Sequence, residues 1–224
     1  MLAIEPAYDG IPPGILRRMG KAIRMGVGAA MPILKSSNPV NGIIIGTAKG
    51  GMEDCIKFLN QIVQYEEGLL APGNFVQSTS NAIAAQLGLL SHNKSYNTTH
   101  VHRGLAFENA VIDSIMQLNE FPGTQYLLGG VDEISDFNYN IETLSGAYKK
   151  ESVSNEHLYD ADSPGSIPGE GAAMFLVNRQ KEKAIARLLA IKTLHTEDLG
   201  LVNTSLQQFI AAHLPPSKKI DLLL

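Results

Sequence analysis

The sequence predicts an α/β fold in which helices cover both faces of a layered, mixed β-sheet. Three short apolar runs have the length and composition of strands that are buried on both faces. Segments with apolar residues at helical spacing alternate with these runs, and this alternation is typical of layered α/β domains. The three runs are Gly42–Gly46, Gln125–Val131 and Gly169–Val177.

Composition and charge restrict the class of protein. The chain has 224 residues, of which 44% are hydrophobic and 18% charged, an ordinary globular balance. Its net charge of −4 argues against general nucleic-acid binding, which requires a clustered positive surface. The single cysteine excludes an intramolecular disulfide. No signal peptide or membrane-spanning apolar run is evident, so we expect a cytoplasmic protein with no membrane partner.

The first predicted helix begins near Ile11, since proline is favoured in a first helical turn, and is ended by Pro32 and the turn Ser36–Pro39. After the strand Gly42–Gly46 comes a glycine-rich loop, Thr47–Gly51. This loop lacks the spacing of a phosphate-binding loop, so a plain strand-to-helix turn is the favoured interpretation. The next helix runs to about Tyr65. Its apolar face predicts that Cys55 packs in the core.

An extended linker is predicted at Leu70–Phe75, followed by a helix rich in small residues, Ser78–Gly88, that can approach a neighbouring helix or subunit closely. Farther along the chain, residues 137–162 are polar and predict an irregular surface segment. Arg187–Lys192 is predicted to pair antiparallel with Gly169–Val177. A helix is expected over 204–213 and a further strand over 218–224.

The central stretch is a short strand, Tyr96–His102, that turns at Arg103 and Gly104 into an amphipathic helix. A strand that enters a helix through a tight turn is a common mount for a nucleophile, because the helix N-terminus stabilises negative charge. Here the residue at the tip is Val101, which has no nucleophilic group.

Four stretches in this order carry a resemblance to a known family: Ile43–Thr47 with Gly50 and Gly51, Phe75–Thr79 with Asn81–Ala85, Leu128–Glu133, and Asp160–Ala172. They resemble an early strand and loop, the helix at a dimer interface, a turn after the third strand, and an Asp…Gly-Glu-Gly-Ala signature. All four belong to the β-ketoacyl synthases of fatty-acid and polyketide synthesis. The resemblance implies a thiolase-like half as the fold.

The departures from the family pattern bear on function. The family's nucleophilic cysteine lies in a Thr-Ala-Cys-x-x-Gly pattern, and matching Thr99–Gly104 to it places Val101 at the cysteine position. The family's catalytic histidines lie in a later half, so we expect one amino-terminal domain over 1–224, with its core at about 41–193. The resemblance implies no catalytic residue, metal or cofactor here. It is strongest to chain-length-factor subunits, which lack the cysteine, and Val101–Glu108 resembles those of bacterial aryl-polyene pathways.

The resemblance also implies partners. A full-length β-ketoacyl synthase would be the partner subunit, an acyl carrier protein would dock transiently, and a homodimer is possible in isolation. Three groups of residues are expected to serve these contacts: an interface strand with Tyr96, Thr98 and His100; a set facing the partner or its substrate tunnel with Phe75, Val76, Val101 and His102; and a basic cluster for carrier docking with Arg17, Arg18, Lys21 and Arg24. An ordinary solvated helix face is the simpler explanation of the basic cluster.

Three alternatives remain open at this stage. His100 and His102 share a strand face, yet no third ligand is evident, so we expect no metal site. A truncated or misaligned condensing enzyme would need a thiol, and Cys55 in mid-helix is a poor candidate. A stand-alone module that binds an acyl group or CoA is the third alternative.

Overall fold

The structure, a computed structural model, describes residues 2–182, 184–215 and 217–220. Within these ranges, four strands form one sheet in the order β2-β1-β3-β4. Strands β2, β1 and β3 are parallel to one another, and β4 is antiparallel to β3, so the sheet is mixed as predicted. The strands are β1 (Gly42–Thr47), β2 (Tyr96–Val101), β3 (Gln125–Asp132) and β4 (Gly171–Asn178).

The chain divides into two compact units, Met1–Arg179 and Gln180–Leu224. The second unit contains helix α8 (Leu199–His213), whose first turn is capped by the Asp198 carboxylate. The first unit contains the sheet, a 3₁₀ turn (Asn155–Asp160) and seven helices: α1 (Pro13–Leu16), α2 (Lys21–Ser36), α3 (Met52–Gln64), α4 (Pro72–Gln77), α5 (Ala82–Leu90), α6 (Ala106–Glu120) and α7 (Asp136–Leu144).

Helices cover both faces of the sheet, which confirms the predicted α/β class. Alternate residues of β1 point to opposite faces, so Ile43 and Ile45 join the core formed with α2 and α5. On the other face, helix α6 lies against β1, β2 and β3. Gly46 allows this close approach, because a Cβ there would lie 2.7 Å from the backbone carbonyl carbon of Ala106. These two layers fix the position of the turn after β2.

Several predicted boundaries were wrong. The first helix is interrupted by residues 17–20, and Pro32 lies inside α2, which ends at Ser36, where the predicted turn begins. The expected linker at 70–75 contains the start of α4, with Pro72 in its first turn. The helix expected over 78–88 is shifted to Ala82–Leu90. Helix α7 forms within the segment predicted to be irregular, because the Ser135 hydroxyl accepts a hydrogen bond from the Asn138 N–H and caps it.

Two apolar patterns did not become core. All of α3 is described and none of its residues is buried; Val63 is 80% exposed and Cys55 is only partly buried. The strand expected at 187–192 is wrong, because these residues adopt irregular structure and Leu188 and Leu189 remain exposed. An apolar run forms a buried strand only where a second layer covers it. The end of the strand expected over 218–224, residues 221–224, lies outside the described residues.

Candidate functional site

The candidate site lies where the carboxyl-terminal ends of β1, β2 and β3 meet. These ends lie together because the three strands are parallel, and open α/β sheets commonly bind their ligands at this end of the strands. Three connections surround it: the loop Ala48–Gly51 after β1, the turn His102–Leu105 after β2, and the segment Glu133–Ser135 after β3. The sequence prediction had placed the functional turn after β2.

The loop after β1 is held by Asp132 at the end of β3. One carboxylate oxygen of Asp132 accepts hydrogen bonds from the Thr47 hydroxyl at 3.0 Å and the Ala48 N–H at 2.8 Å. The Thr47 hydroxyl oxygen in turn accepts from the Gly50 N–H at 3.2 Å. Burial raises the pKa of Asp132, and these hydrogen bonds offset only part of that effect. The loop is thus a structural turn, which agrees with the favoured sequence interpretation.

A buried carboxylate joins the two neighbouring connections to α7. Glu142 of α7 forms ion pairs with Lys49 of the loop after β1 and with Arg103 of the turn after β2. Arg103 also donates to the Ser145 hydroxyl at 3.0 Å. The Lys49 ammonium, with help from Arg103, holds the pKa of Glu142 below its usual range. The pair of salt bridges fixes the turn that carries Val101.

Val101 is the last residue of β2, and its side chain is 46% exposed. A Cβ placed on Gly50 would lie 3.3 Å from a methyl carbon of Val101 and 3.0 Å from the Ser80 hydroxyl oxygen. Val101, which the sequence pattern predicts at the nucleophile position, therefore packs beside the glycine loop and the segment leading into α5. An isopropyl group at this point can fill space but can neither attack a carbonyl carbon nor exchange a proton.

His102 stabilises the start of α6. Its Nδ1 accepts hydrogen bonds from the N–H groups of Leu105 at 3.0 Å and Gly104 at 3.4 Å. A nitrogen that accepts in this way carries no proton, so the ring serves as a cap for helix donors that otherwise lack partners. We therefore assign His102 a structural role within this chain.

Side chains of β2 contact helices on both faces of the sheet. Toward α6, the Asp113 carboxylate accepts from the Tyr96 hydroxyl at 3.0 Å and lies 2.8 Å from His100 Nε2. Burial, and then Asp113, raises the pKa of Tyr96. Toward α5, the Thr99 hydroxyl donates to the Asn81 side chain at 2.7 Å. These contacts lock the direction of β2 from both sides.

Within the part of the chain that the structure describes, the backbone of β2 has no strand partner on one side, because β2, like β4, is an edge strand of the sheet. Just past its end, the His102 N–H donates to the Thr47 carbonyl at 3.3 Å, toward β1. The direction of the backbone N–H alternates along a strand, so the N–H of Thr98 also points toward β1. The backbone N–H groups of Asn97, Thr99 and Val101 point away from β1. The strand predicted as an interface thus presents three residues whose backbone groups face outward.

Helix α4 presents the other residues that were predicted to face a partner. Phe75 and Val76 are 57% and 58% exposed, and the Phe75 ring lies 5.5 Å from the Phe58 ring of α3. The Gln77 side chain anchors α4, since it accepts from the Gly20 N–H at 2.7 Å and donates to the Arg18 carbonyl. Exposed apolar side chains on a short, anchored helix are suited to contact another surface.

The basic cluster is divided by internal ion pairs. The Lys21 ammonium lies 2.6 Å from the fully buried Glu170 carboxylate, and Arg24 pairs with Glu5 at 2.8 Å. Hydrogen bonding to Arg24 lowers the pKa of Glu5 to about 2. Arg17 and Arg18 remain exposed on the connection between α1 and α2. Only these two are placed to meet a carrier protein, and that docking stays a prediction.

Across residues 2–182, 184–215 and 217–220, no three His, Cys, Asp or Glu side chains come together in a way that could hold a metal ion. In the same ranges, no helix is both long and apolar enough to cross a bilayer. These are findings on geometry alone.

Comparison with known proteins identifies the family. The model of the β-ketoacyl synthase N-terminal domain matches residues 3–147, well over half of the chain. The chain belongs to this family. The resemblance that the four sequence stretches carried is therefore confirmed. A comparison with curated protein sequences gave no match.

Several solved structures share this fold. The ketosynthase ApeO in complex with its chain length factor ApeC, from Xenorhabdus doucetiae, is 18% identical with a TM-score of 0.54, and the match covers 61% of this chain and 56% of that one. The ishigamide ketosynthase/chain length factor is 20% identical with a TM-score of 0.60, covering 84% and 50%. A β-ketoacyl synthase from Burkholderia phymatum is 18% identical with a TM-score of 0.56, covering 78% and 45%. The chain thus spans about half the length of these structures.

Sequence reasoning missed the residues that hold the loop after β1 and the turn after β2 in place. Lys49, Asp132 and Glu142 are separated by long stretches of chain, and nothing in their spacing indicates that they meet. One signal was available: Ser135 followed by Asp136 is a typical helix start, and it would have revealed the helix that supplies Glu142.

Proposed function

We propose that this chain is a non-catalytic ketosynthase-like subunit of the chain-length-factor type, which pairs with an active β-ketoacyl synthase in acyl-chain, polyketide or aryl-polyene synthesis. The observation that carries this proposal is Val101 at the end of β2. The match of Thr99–Gly104 to the family's pattern places Val101 at the nucleophile position, and its side chain has no group that can form a thioester.

Because Val101 is no nucleophile, pairing with another subunit is the function we propose, and the position of β2 at an edge of the sheet supports it. Three outward-facing residues, Asn97, Thr99 and Val101, offer backbone donors and acceptors to a strand of another subunit. Strand addition would extend the four-stranded sheet into the partner. Two of the solved structures with this fold are, by their names, ketosynthases with chain length factors. That likeness makes the pairing a reasonable proposal for this chain.

The partner surface would include helix α4 as well as β2. Phe75 and Val76 are exposed, and Gln77–Ser80 runs beside the glycine loop and Val101. These apolar side chains would reach the partner's substrate tunnel and help to set its length. Arg17 and Arg18 would meet the acidic carrier protein, since long-range charge attraction favours such encounters.

Acyl transfer tests the proposal directly. The chain is incubated with an acyl carrier protein loaded with a thioester, and its intact mass is measured. We expect no covalent adduct, because Val101 at the end of β2 has no nucleophilic group; the one thiol, Cys55, lies in the first turn of α3 and is partly buried. The variant Cys55→Ala serves as the control and should likewise show only its own unmodified mass. A stoichiometric acyl group on Cys55 in the wild-type chain would favour a condensing enzyme instead.

A further inference from the structure

A second surface of the chain has the features of a small-molecule site. A groove of about 400 Å³ lies where the connection between α1 and α2 meets α4 and α5. Its volume falls at the lower end of the range for small-molecule sites, about 300 to 1,000 Å³. Three buried or partly exposed apolar side chains from one side, Ile15, Met19 and Ile23, face Val76 from the other. The groove is therefore apolar along its length.

The one charged side chain in the lining of the groove favours an anion. Arg18 and Gln86 are part of the lining, whereas Asp and Glu are absent from all nine lining residues, each of which the structure describes. Over the described ranges, no hydrogen bond or ion pair occupies the Arg18 guanidinium or the Gln86 amide. By contrast, both ends of the Gln77 amide are already bonded to the backbone of Arg18 and Gly20. The free donors are thus Arg18 and Gln86.

We propose that this groove binds a medium-chain aliphatic carboxylate. The guanidinium of Arg18 would donate two hydrogen bonds to the carboxylate in a bidentate ion pair, and the Gln86 amide would donate a further hydrogen bond. The alkyl chain would lie along Ile15, Met19 and Val76, where its transfer from water is favourable. The Gln77 amide fixes the two walls with respect to each other, so the groove exists before the ligand arrives. Val76 and Arg18 are shared with the contacts proposed above for the partner and the carrier protein, so binding is measured on the chain alone.

Methionine signals offer a local test with octanoate as the probe. The protein carries seven methionines; Met19 lines the groove, and Met116 lies on α6 with 64% of its surface exposed. With ¹³C-methyl-labelled methionine, titration of octanoate should shift the Met19 signal saturably and leave the Met116 signal unchanged. A Met19 signal that does not move, or that moves without saturation, would overturn the proposal.

Two neighbouring arginines provide a matched control for the ion pair. Arg18→Gln should raise the dissociation constant for octanoate about tenfold, because a charge-assisted hydrogen bond is lost. Arg17→Gln should leave it within about twofold, since Arg17 is exposed but not part of the lining. Octylammonium should not bind to the wild-type chain. If both variants weakened octanoate binding equally, or if octylammonium bound as tightly as octanoate, the proposed ion pair with Arg18 would be disproved.

Discussion

The Nε2 atom of His100 lies 2.8 Å from the Asp113 carboxylate, which also accepts a hydrogen bond from the Tyr96 hydroxyl. One carboxylate on α6 therefore holds two residues of the edge strand β2. An edge strand has neighbours on one side only, so contacts from the helix layer replace some of the order that a second strand would supply. The geometry of β2 is fixed before any partner arrives.

Removal of the Asp113 carboxylate should loosen this strand. Asp113→Ala leaves Tyr96 and His100 without their shared acceptor, and we expect the free energy of unfolding to fall by about 2 kcal/mol. Urea denaturation followed by circular dichroism measures the change. Glu120→Gln, at an exposed position of the same helix, is the control and should change the stability little. Equal stability of Asp113→Ala and the wild type would contradict the assigned contact.

The Glu142 salt bridges should make stability depend on pH. The Lys49 ammonium and then Arg103 lower the pKa of Glu142 in the folded chain below 4.5, its ordinary value. The pairing therefore stabilises the fold above about pH 4.5 and is lost as the pH falls through the folded-state pKa. We expect Glu142→Gln to lose about 2 kcal/mol of unfolding free energy near neutral pH, a value between those for exposed and buried pairs.

The same variant gives a second readout in acid. The difference in unfolding free energy between wild type and Glu142→Gln should shrink as the pH is lowered below 4.5, because protonation of Glu142 removes the charge in the wild type too. Glu156→Gln, at an exposed position, should show no such trend. A difference that stays constant through the acid range would mean that charge pairing by Glu142 is not the cause.

Gly46 should not tolerate a side chain. A Cβ at this position of β1 would lie 2.7 Å from the backbone carbonyl carbon and oxygen of Ala106. These backbone atoms, unlike the end of a side chain, cannot move aside by rotation. We expect Gly46→Ala to cost about 1 to 3 kcal/mol of stability, as overpacked cores do. Gly104→Ala is the matched control, because its Cβ would meet no atom within 4 Å. Thermal unfolding of the two variants should separate them clearly, and equal midpoints would disprove the close contact of β1 with α6.

The fold class could be predicted because its signals are local. Gly42–Thr47 and Gln125–Asp132 are short apolar runs between turn residues, and both became central strands of the sheet. The edge strand Tyr96–Val101 was also found, since it leads directly into the periodic pattern of α6. The same kind of pattern gave a wrong prediction for α3: its apolar residues are spaced as in a core helix, yet none of its residues is buried.

The arrangement of the candidate site could be predicted only in part. The place of Val101 at the end of β2 was predicted, because it follows from the chain order of strand, turn and helix. Asp132 holds the loop after β1 and Glu142 holds the turn after β2, and they act on residues 84 and 39 positions away in the sequence. Such pairings depend on how the sheet brings loops together, and one sequence contains no record of that. The Arg24 ion pair with Glu5 was missed for the same reason.

The central claim is that the outward edge of β2 pairs with a ketosynthase. The most direct test measures mass in solution for the chain mixed with each full-length ketosynthase of its own genome, using wild type, Val101→Pro and Val101→Thr. Proline removes an outward N–H, whereas threonine keeps it and retains a β-branched side chain. We expect a one-to-one complex for wild type and Val101→Thr, and separate chains for a folded Val101→Pro. A complex that survives Val101→Pro unchanged, or a wild-type chain that does not associate, would contradict it.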